Sequence, residues 1–254
     1  MPANQLVLLT CDGESGRIAA HYLADRFPSL TVIVEQPVSR ALLLRRRVRR
    51  LGLFTVAGQL LFMILQRLQE RMSQPRITEI KREFNLVDRW PERSIVRVAS
   101  VNEAETVAAL RQIRPAAVLI MGTRLIDAAV LGSFDAPFIN YHAGVTPKYR
   151  GVHGGYWALA QGDPDHCGVT VHLVDAGIDT GAVLYQQPVT PTGRDNFSTY
   201  PYLQLAAALP LLERAGRDGL AGALRPQSVN LASRLWSHPT IGSYLATGLR
   251  RGVW

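Results

Sequence analysis

The opening stretch narrows the choice of fold more than any other part of the chain. Leu6 to Leu9 is a short, wholly apolar run of the kind found in a strand buried on both faces. It passes through Thr10-Cys11-Asp12-Gly13-Glu14-Ser15-Gly16 into apolar residues at helical spacing, Ile18, Ala19, Tyr22, Leu23 and Phe27, which suit a helix covering a sheet. Leu30 to Val34 gives a second strand. Strand, glycine-containing turn, helix and strand in that order begin a parallel α/β sheet with a right-handed crossover. Met1 to Leu9 has no cationic start and too short an apolar run for a secretory leader.

The alternation resumes further on. Ile95 to Val98 reads as a strand, Asn102 with Glu105 as the capping box of a helix reaching Ile113, and Ala117 to Met121 as another buried strand. A short helix near Ile126 to Leu131 and a strand from Phe138 to Tyr141 lead into a polar, glycine-rich loop that ends at Gly155. After a helix from Trp157 to Gln161, Gly168 to Val174 alternates, with Val169, Val171 and Leu173 on one face, and Val183 to Val189 can pair with it. A helix near Tyr202 to Ala215 precedes a tail with a short helical pattern around Ile241 to Leu249. At 254 residues the chain can bury a core without staples, and no internal repeat or low-complexity linker divides it. The expected organisation is a main domain over 1–215, interrupted at about 37–84, and a C-terminal appendage over 216–254.

The formal charge is +8, which invites a nucleic-acid or anionic-membrane partner. Its distribution weakens the first idea. Arg40 to Arg93 holds 13 Arg and Lys against 5 acids, while the other 200 residues hold 15 of each. Arg45, Arg46, Arg47, Arg49 and Arg50 head this segment, and Leu51 to Leu65 follows as an apolar stretch too short to span a bilayer. Three readings stay open: a helix packed on the domain or on a second copy in a homodimer, a helix on an anionic membrane surface through Arg45 to Arg50, and a nucleic-acid contact. The last is disfavoured by the scarcity of aromatics, Phe54 and Phe62 only. Cys11 and Cys167 could form one bridge at most and cannot build a cysteine-rich metal site, so a reducing, cytoplasmic compartment is expected, with the basic segment able to hold the protein at the inner face of a membrane. No metal is expected.

Two stretches carry candidate chemistry. Asn140-Tyr141-His142 lies where a buried strand runs out at the carboxyl edge of the sheet, the edge where α/β folds place ligands. The Asn amide can donate to an oxyanion, and the His two residues along shares its face and can exchange protons near neutrality. The second stretch, Gly168-Val169-Thr170-Val171-His172-Leu173-Val174-Asp175-Ala176-Gly177-Ile178-Asp179-Thr180-Gly181, carries Asp175 and Asp179 from a half-buried strand into a tight loop. Either acid could orient a histidine, and both suit turns beside glycine.

Taken together, Asn140-x-His142, Pro147-Lys148-Tyr149-Arg150-Gly151, Trp157-Ala158, Gly168-Val169-Thr170-x-His172 and Asp179-Thr180-Gly181 occur in an order and at spacings that resemble the formyltransferase family using 10-formyltetrahydrofolate, which includes glycinamide ribonucleotide, methionyl-tRNA and sugar N-formyltransferases. The resemblance covers roughly Leu6 to Leu212, apart from the basic segment. It implies a mostly parallel, Rossmann-like α/β sheet with helices on both faces, a basic helical insertion and a short C-terminal appendage. It implies catalytic roles for Asn140, His142 and Asp179, with 10-formyltetrahydrofolate as co-substrate beside Met121, Gly122, Thr123, Arg124 and Leu125 and beside Val174, Asp175 and Gly177. Gly122 would permit close backbone approach, Leu125 could pack on the pterin ring, and Arg124 could serve a carboxylate or a surface salt bridge. Gly144, Thr146, Tyr149, Arg150, His153, Tyr156 and Ser15 are the candidate contacts to the amine acceptor.

Two departures bear on that acceptor. The family commonly has Ser-Leu-Leu-Pro after the histidine where this chain has Gly144-Val145-Thr146-Pro147. The first turn, Cys11 to Gly16, carries two acids where glycinamide ribonucleotide enzymes have a phosphate loop. The roughly 40 residues after Leu212 are fewer than the barrel that follows the catalytic domain of methionyl-tRNA formyltransferases. The expected activity is therefore N-formylation of a small primary amine, with an amino sugar, nucleotide-linked or free, as the favoured class. A hydrolase using the same three residues, and a membrane-associated protein that kept the fold without turnover, are the alternatives.

Overall fold

The computed structural model describes residues 5–93 and 95–254. Residues 1–4, which belong to the leader reading above, and the side chains of residues 40 and 42 lie outside the described set. The apolar runs form the strands expected of them: β1 (Leu6–Cys11), β2 (Leu30–Glu35), β3 (Ile95–Val98), β4 (Ala117–Met121) and β5 (Phe138–His142). They make the parallel part of a seven-stranded sheet, which β7 (Gly168–Leu173) and β8 (Val183–Pro188) complete as antiparallel strands. The spatial order is β3-β2-β1-β4-β5-β7-β8, so the chain reverses direction across the sheet between β1 and β4. The loop leaving the carboxyl end of β4 opens on the crevice at this reversal, the place where α/β sheets bind ligands.

Alternation of side chains divides the core. Leu6, Leu8, Leu119 and Ile139 pack with Ile18 and Leu23 of α1 (Glu14–Ala24) and with Leu205, Leu209 and Leu212 of α8 (Tyr200–Leu220). Val7, Leu9, Val118 and Ile120 face the other way, against Leu110 of α5 (Ala104–Ile113). Covering both faces is what lets these strands be apolar throughout.

The basic segment is helical, as expected: α2 (Arg40–Leu51), α3 (Leu53–Met72) and α4 (Gln74–Glu83) form an arm between β2 and β3. Three details differ from the reading of the sequence. Helix α5 is capped by Glu103 without a side-chain bond. Asn102 instead donates to the Leu125 carbonyl and accepts from the Asp127 N–H, because its amide reaches the loop after β4 more directly than the first helical turn. Helix α8 runs to Leu220, so the expected boundary at 215 falls inside it. The tail is not a loose appendage, since β9 (Leu235–Trp236) pairs in parallel with β6 (Arg150–Gly151). Its last helix, α9 (Ile241–Arg251), packs on α3 through Tyr244 against Phe62, ring centroids 4.9 Å apart.

Candidate active site

A cavity of about 770 Å³ opens at the carboxyl edge of the sheet, within the range of small-ligand sites. The ends of β4, β5 and β7, the loop 174–179, the tail at 235–238 and one face of α2 wall it. Asn140 and His142 project from the same face of β5, and the antiparallel register sets His172 of β7 directly opposite Asn140. Asp179 arrives from the loop after β7. Its backbone is left-handed, φ 51°, a conformation that Asp tolerates better than most residues, and it turns the carboxylate back over the strand ends.

Four polar side chains meet there. His142 Nε2 donates to the Tyr149 carbonyl at 2.6 Å, and because a carbonyl only accepts, this bond fixes the proton on Nε2. Its Nδ1 faces Asp179 Oδ2 at 3.4 Å. The His172 ring donates from Nδ1 to the Leu173 carbonyl at 2.7 Å, which leaves Nε2 to accept from Asn140 Nδ2 at 3.2 Å. Asn140 Nδ2 also lies 3.5 Å from Asp179 Oδ1. Asp179 Oδ2, the oxygen that faces His142, also accepts the Gly151 N–H at 2.9 Å, and Arg150 Nη1 holds the neighbouring Ile178 carbonyl at 2.9 Å.

Burial lowers the pKa of His142, and the Asp179 charge and the Tyr149 carbonyl offset this only in part. His142 is therefore neutral at pH 7, with its Nδ1 lone pair turned toward a carboxylate. Burial on its own would raise the pKa of Asp179. The hydrogen bond from His172 and the charge of His142, which these rings supply once they carry a second proton, outweigh it together with the Gly151 N–H and hold the carboxyl below the ordinary range. A lone pair facing a carboxylate is a place that wants a proton. The pair is thus poised to take one from a group bound between it and the cavity.

The loop after β4 is the second wall. Gly122 has φ +71°, a conformation open to glycine, and brings the backbone across the cavity floor. Arg124 turns its guanidinium away toward Glu35, with Nε at 2.7 Å from Oε2, and its Nη2 donates to the Gln36 and Ala99 carbonyls. Of the two roles considered for Arg124, the ion pair is the one it fills. Glu35, 3% exposed, also accepts the Arg124 and Val101 N–H groups, so it anchors the whole loop. Thr123 and Leu125 line the cavity, Leu125 64% exposed over it, and Val174, Asp175 and Gly177 line the opposite side. Asp175 also closes its own turn by accepting from the Gly177 N–H and Thr180 Oγ1. Backbone groups, an apolar side chain and a cavity of this size suit a flat heterocycle such as a pterin.

The expected acceptor contacts are placed differently. Ser15 is exposed at the start of α1 and is not part of the cavity wall. Gly144 packs behind His142, where a Cβ would lie 2.8 Å from Nε2, and the buried Tyr149 gives its hydroxyl to Asp163. Thr146 is buried beside Thr170. His153 begins α7 (Gly154–Ala160) and bonds His238, and Tyr156 packs with Phe62, Phe197 and Tyr244. From this stretch Gly151 and Val152 reach the cavity, while Arg150 braces the loop that carries Asp179. Residues outside the expected set fill the wall: His172, Ser237 and His238, and from α2 Arg46, Arg47 and Arg50. The signal for the arginines was their spacing, since positions 43, 46, 47 and 50 share one helical face.

A family model described as formyl transferase matches residues 68–200, a span that includes Asn140, His142, His172 and Asp179. The chain belongs to the formyl transferase family. It is 34% identical over 135 residues to the methionyl-tRNA formyltransferase of Koribacter versatilis, a match covering 50% of the chain and 41% of that relative. It is 40% identical over 111 residues to the phosphoribosylglycinamide formyltransferase of Mycobacterium tuberculosis, covering 44% and 49%. The chain thus spans less than half the length of these curated relatives. A sugar N-formyltransferase from a Shewanella species shares the fold with a TM-score of 0.55 at 17% identity, over 95% of this chain and 79% of that one.

Proposed function

We propose that this formyl transferase moves a formyl group from 10-formyltetrahydrofolate to the primary amine of a small acceptor, with an amino sugar as the favoured class. The observation that carries the proposal is the convergence of Asn140, His142, His172 and Asp179 at the cavity, since folding alone does not call for four polar groups at a strand edge. The co-substrate supplies an activated formyl group on nitrogen. Asn140, its amide oriented by His172, supplies an N–H to an oxygen that gains negative charge. The amine nitrogen bonds to the formyl carbon as the bond from that carbon to the folate nitrogen breaks; the ionised Asp179 takes the proton that the amine sheds, directly or through water, and passes it on to the departing folate nitrogen, which returns Asp179 to its carboxylate form. Gly122 to Leu125 and Val174 to Gly177 hold the pterin end and keep water from the reacting group. The test is a panel of amines, including free and nucleotide-linked amino sugars, mixed with 10-formyltetrahydrofolate and read as release of tetrahydrofolate. Amine-dependent release supports transfer. Equal release in the water-only blank favours the hydrolase, and no release with any acceptor favours a fold retained without turnover.

We also infer that the arm rests on an anionic membrane surface. Phe54, Leu61, Ile64, Leu68 and Met72 form an outward stripe on α3, with Phe54 93% exposed, and Leu245 and Leu249 of the adjoining α9 are exposed as well. Arg45 and Arg49 of α2 are exposed outside the cavity wall and residues 36–69 contain no acid, so the same face on a second copy would meet its own charge, whereas anionic lipid would meet the opposite one. Among the described residues no helix is long and apolar enough to cross a membrane. Sedimentation with phosphatidylglycerol vesicles, weakened in R45Q/R49Q, is the expected result. Absence of sedimentation together with a dimer in solution would assign the stripe to self-association.

A further inference from the structure

The five arginines at the head of the arm are not equivalent. All but the half-buried Arg47 are exposed, yet Arg45 and Arg49 lie outside the cavity wall, whereas Arg46, Arg47 and Arg50 line the same cavity as Asn140, His142 and Asp179. Several arginines elsewhere are balanced: Arg17 by Asp88, Arg26 by Glu213, Arg76 by Asp195 and Arg124 by Glu35. Among the described residues no carboxylate lies within ion-pair distance of Arg46, Arg47 or Arg50. The neighbour that Arg47 does have is a neutral one. Its Nη2 donates to His238 Nε2 at 3.0 Å, and His238 donates in turn to His153 Nε2 at 2.9 Å. Burial and the Arg47 charge hold His238 down at about pKa 4, so this chain of bonds positions the guanidinium without neutralising it. Beside it the buried Gln59 leaves Oε1 without a partner and lines the same wall.

The cavity is therefore polarised. Its lining carries two carboxylates, at 175 and 179 in the loop after β7, and three guanidinium groups without an ion pair on α2. A molecule that carries an amine at one end and an anion at the other fits this division of charge, and guanidinium forks suit phosphate oxygens in particular. We propose that Arg46, Arg47 and Arg50 form a subsite for a phosphate or diphosphate group on the amine acceptor, which makes the arm a specificity element of the catalytic site. The proposal rests on the formyl-transfer reading for the identity of the acceptor, and on the geometry alone for the anion. Three positive charges match a diphosphate, with about two to three negative charges at neutral pH, better than a single carboxylate. Gln59 Oε1 is then an acceptor for a hydroxyl of the group that bears the phosphate.

The test separates the anion subsite from turnover. Inorganic pyrophosphate is titrated calorimetrically into wild type, R46Q/R50Q and the outward-facing control R45Q/R49Q, with Arg47 left in place because it braces His238. Pyrophosphate binding in wild type and control, weakened tenfold or more in R46Q/R50Q, supports the subsite. Equal loss in both double variants would reduce the effect to net charge and overturn it, as would equal binding in all three. Displacement of pyrophosphate by uridine diphosphate identifies a soluble, nucleotide-borne phosphate, and displacement only by phosphatidic acid vesicles identifies a lipid-borne one. Both outcomes support the subsite. Binding of 5-formyltetrahydrofolate with one and with several glutamates is measured alongside. Equal affinity in wild type and R46Q/R50Q is expected, and a loss that grows with glutamate number would assign the arginines to the donor tail and refute the proposal. Wild type that binds pyrophosphate but forms no product would sink the transfer reading and leave the subsite standing.

Discussion

Asp179→Asn is the most informative single change. The carboxylate side chain is 13% exposed and contacts Gly151 N–H at 2.9 Å, His142 Nδ1 at 3.4 Å and His172 Nε2 at 3.6 Å. An amide of the same shape keeps one acceptor for Gly151 and removes the charge. The fold should lose about 1 kcal/mol, the net worth of one rearranged hydrogen bond, because the αL backbone of Asp179 suits Asn equally well. The chemistry should lose far more. Removing a proton acceptor from acyl transfer costs about 10²–10⁴ in rate, or roughly 3–5 kcal/mol in the barrier. The assay is tetrahydrofolate release under saturating acceptor, with thermal unfolding and binding of 5-formyltetrahydrofolate measured on the same preparation. A variant that folds, binds and turns over within about threefold of wild type would refute the assignment of Asp179 to proton transfer. A variant that no longer folds would refute the claim that its role is mainly chemical.

Four further outcomes follow from the same geometry. Since the pKa of His142 is lowered, the acid limb of kcat/KM should lie below the ordinary histidine value of about 6.5, and it should move further toward acid in the residual activity of Asp179→Asn, because Asp179 raises that pKa; a limb above 6.5 in wild type would contradict this. Asp179 itself has a depressed folded pKa, so its contribution to stability is present above the ordinary carboxyl range and is lost as pH falls through its folded value; acid unfolding curves of wild type and Asp179→Asn should converge below about pH 4. Glu35→Gln should destabilise by about 2 kcal/mol in urea unfolding, less than for a fully buried pair because Arg124 is partly exposed, and should weaken folate binding by loosening the loop after β4. Gly151→Ala, at φ +94° with its Cβ driven into the Trp236 carbonyl oxygen, should cost about 2 kcal/mol and release β9 from β6, detected as faster amide exchange around Trp236.

Much of this molecule could be read from its residues because its strands are extreme. Runs such as Leu6 to Leu9 and Ala117 to Met121 have no polar face and fit only strands covered on both sides, and once these are placed Asn140 and His142 must emerge at the carboxyl edge. Long-range pairings left weaker traces. The two residues of β9 carry no period, so nothing local announced that the tail docks against Arg150 and Gly151. Asn102 has the composition of a cap, yet its amide found better partners 23 and 25 residues away. His172 stood in a recognised stretch, but its tie to Asn140 is a cross-strand contact that depends on register. The basic segment is the largest revision. Its sequence suggests a packing, membrane or nucleic-acid element, and the fold also turns three of its arginines into the wall of the site.

The most direct measurement of the central claim uses an isotope-labelled formyl group on 10-formyltetrahydrofolate and follows the label by mass spectrometry. Transfer by Asn140, His142 and Asp179 predicts that the label appears in an amide of the acceptor, and that it does so at a rate lowered by orders of magnitude in Asp179→Asn. Label recovered as formate in the presence of every acceptor, or incorporation equal in wild type and Asp179→Asn, would contradict it.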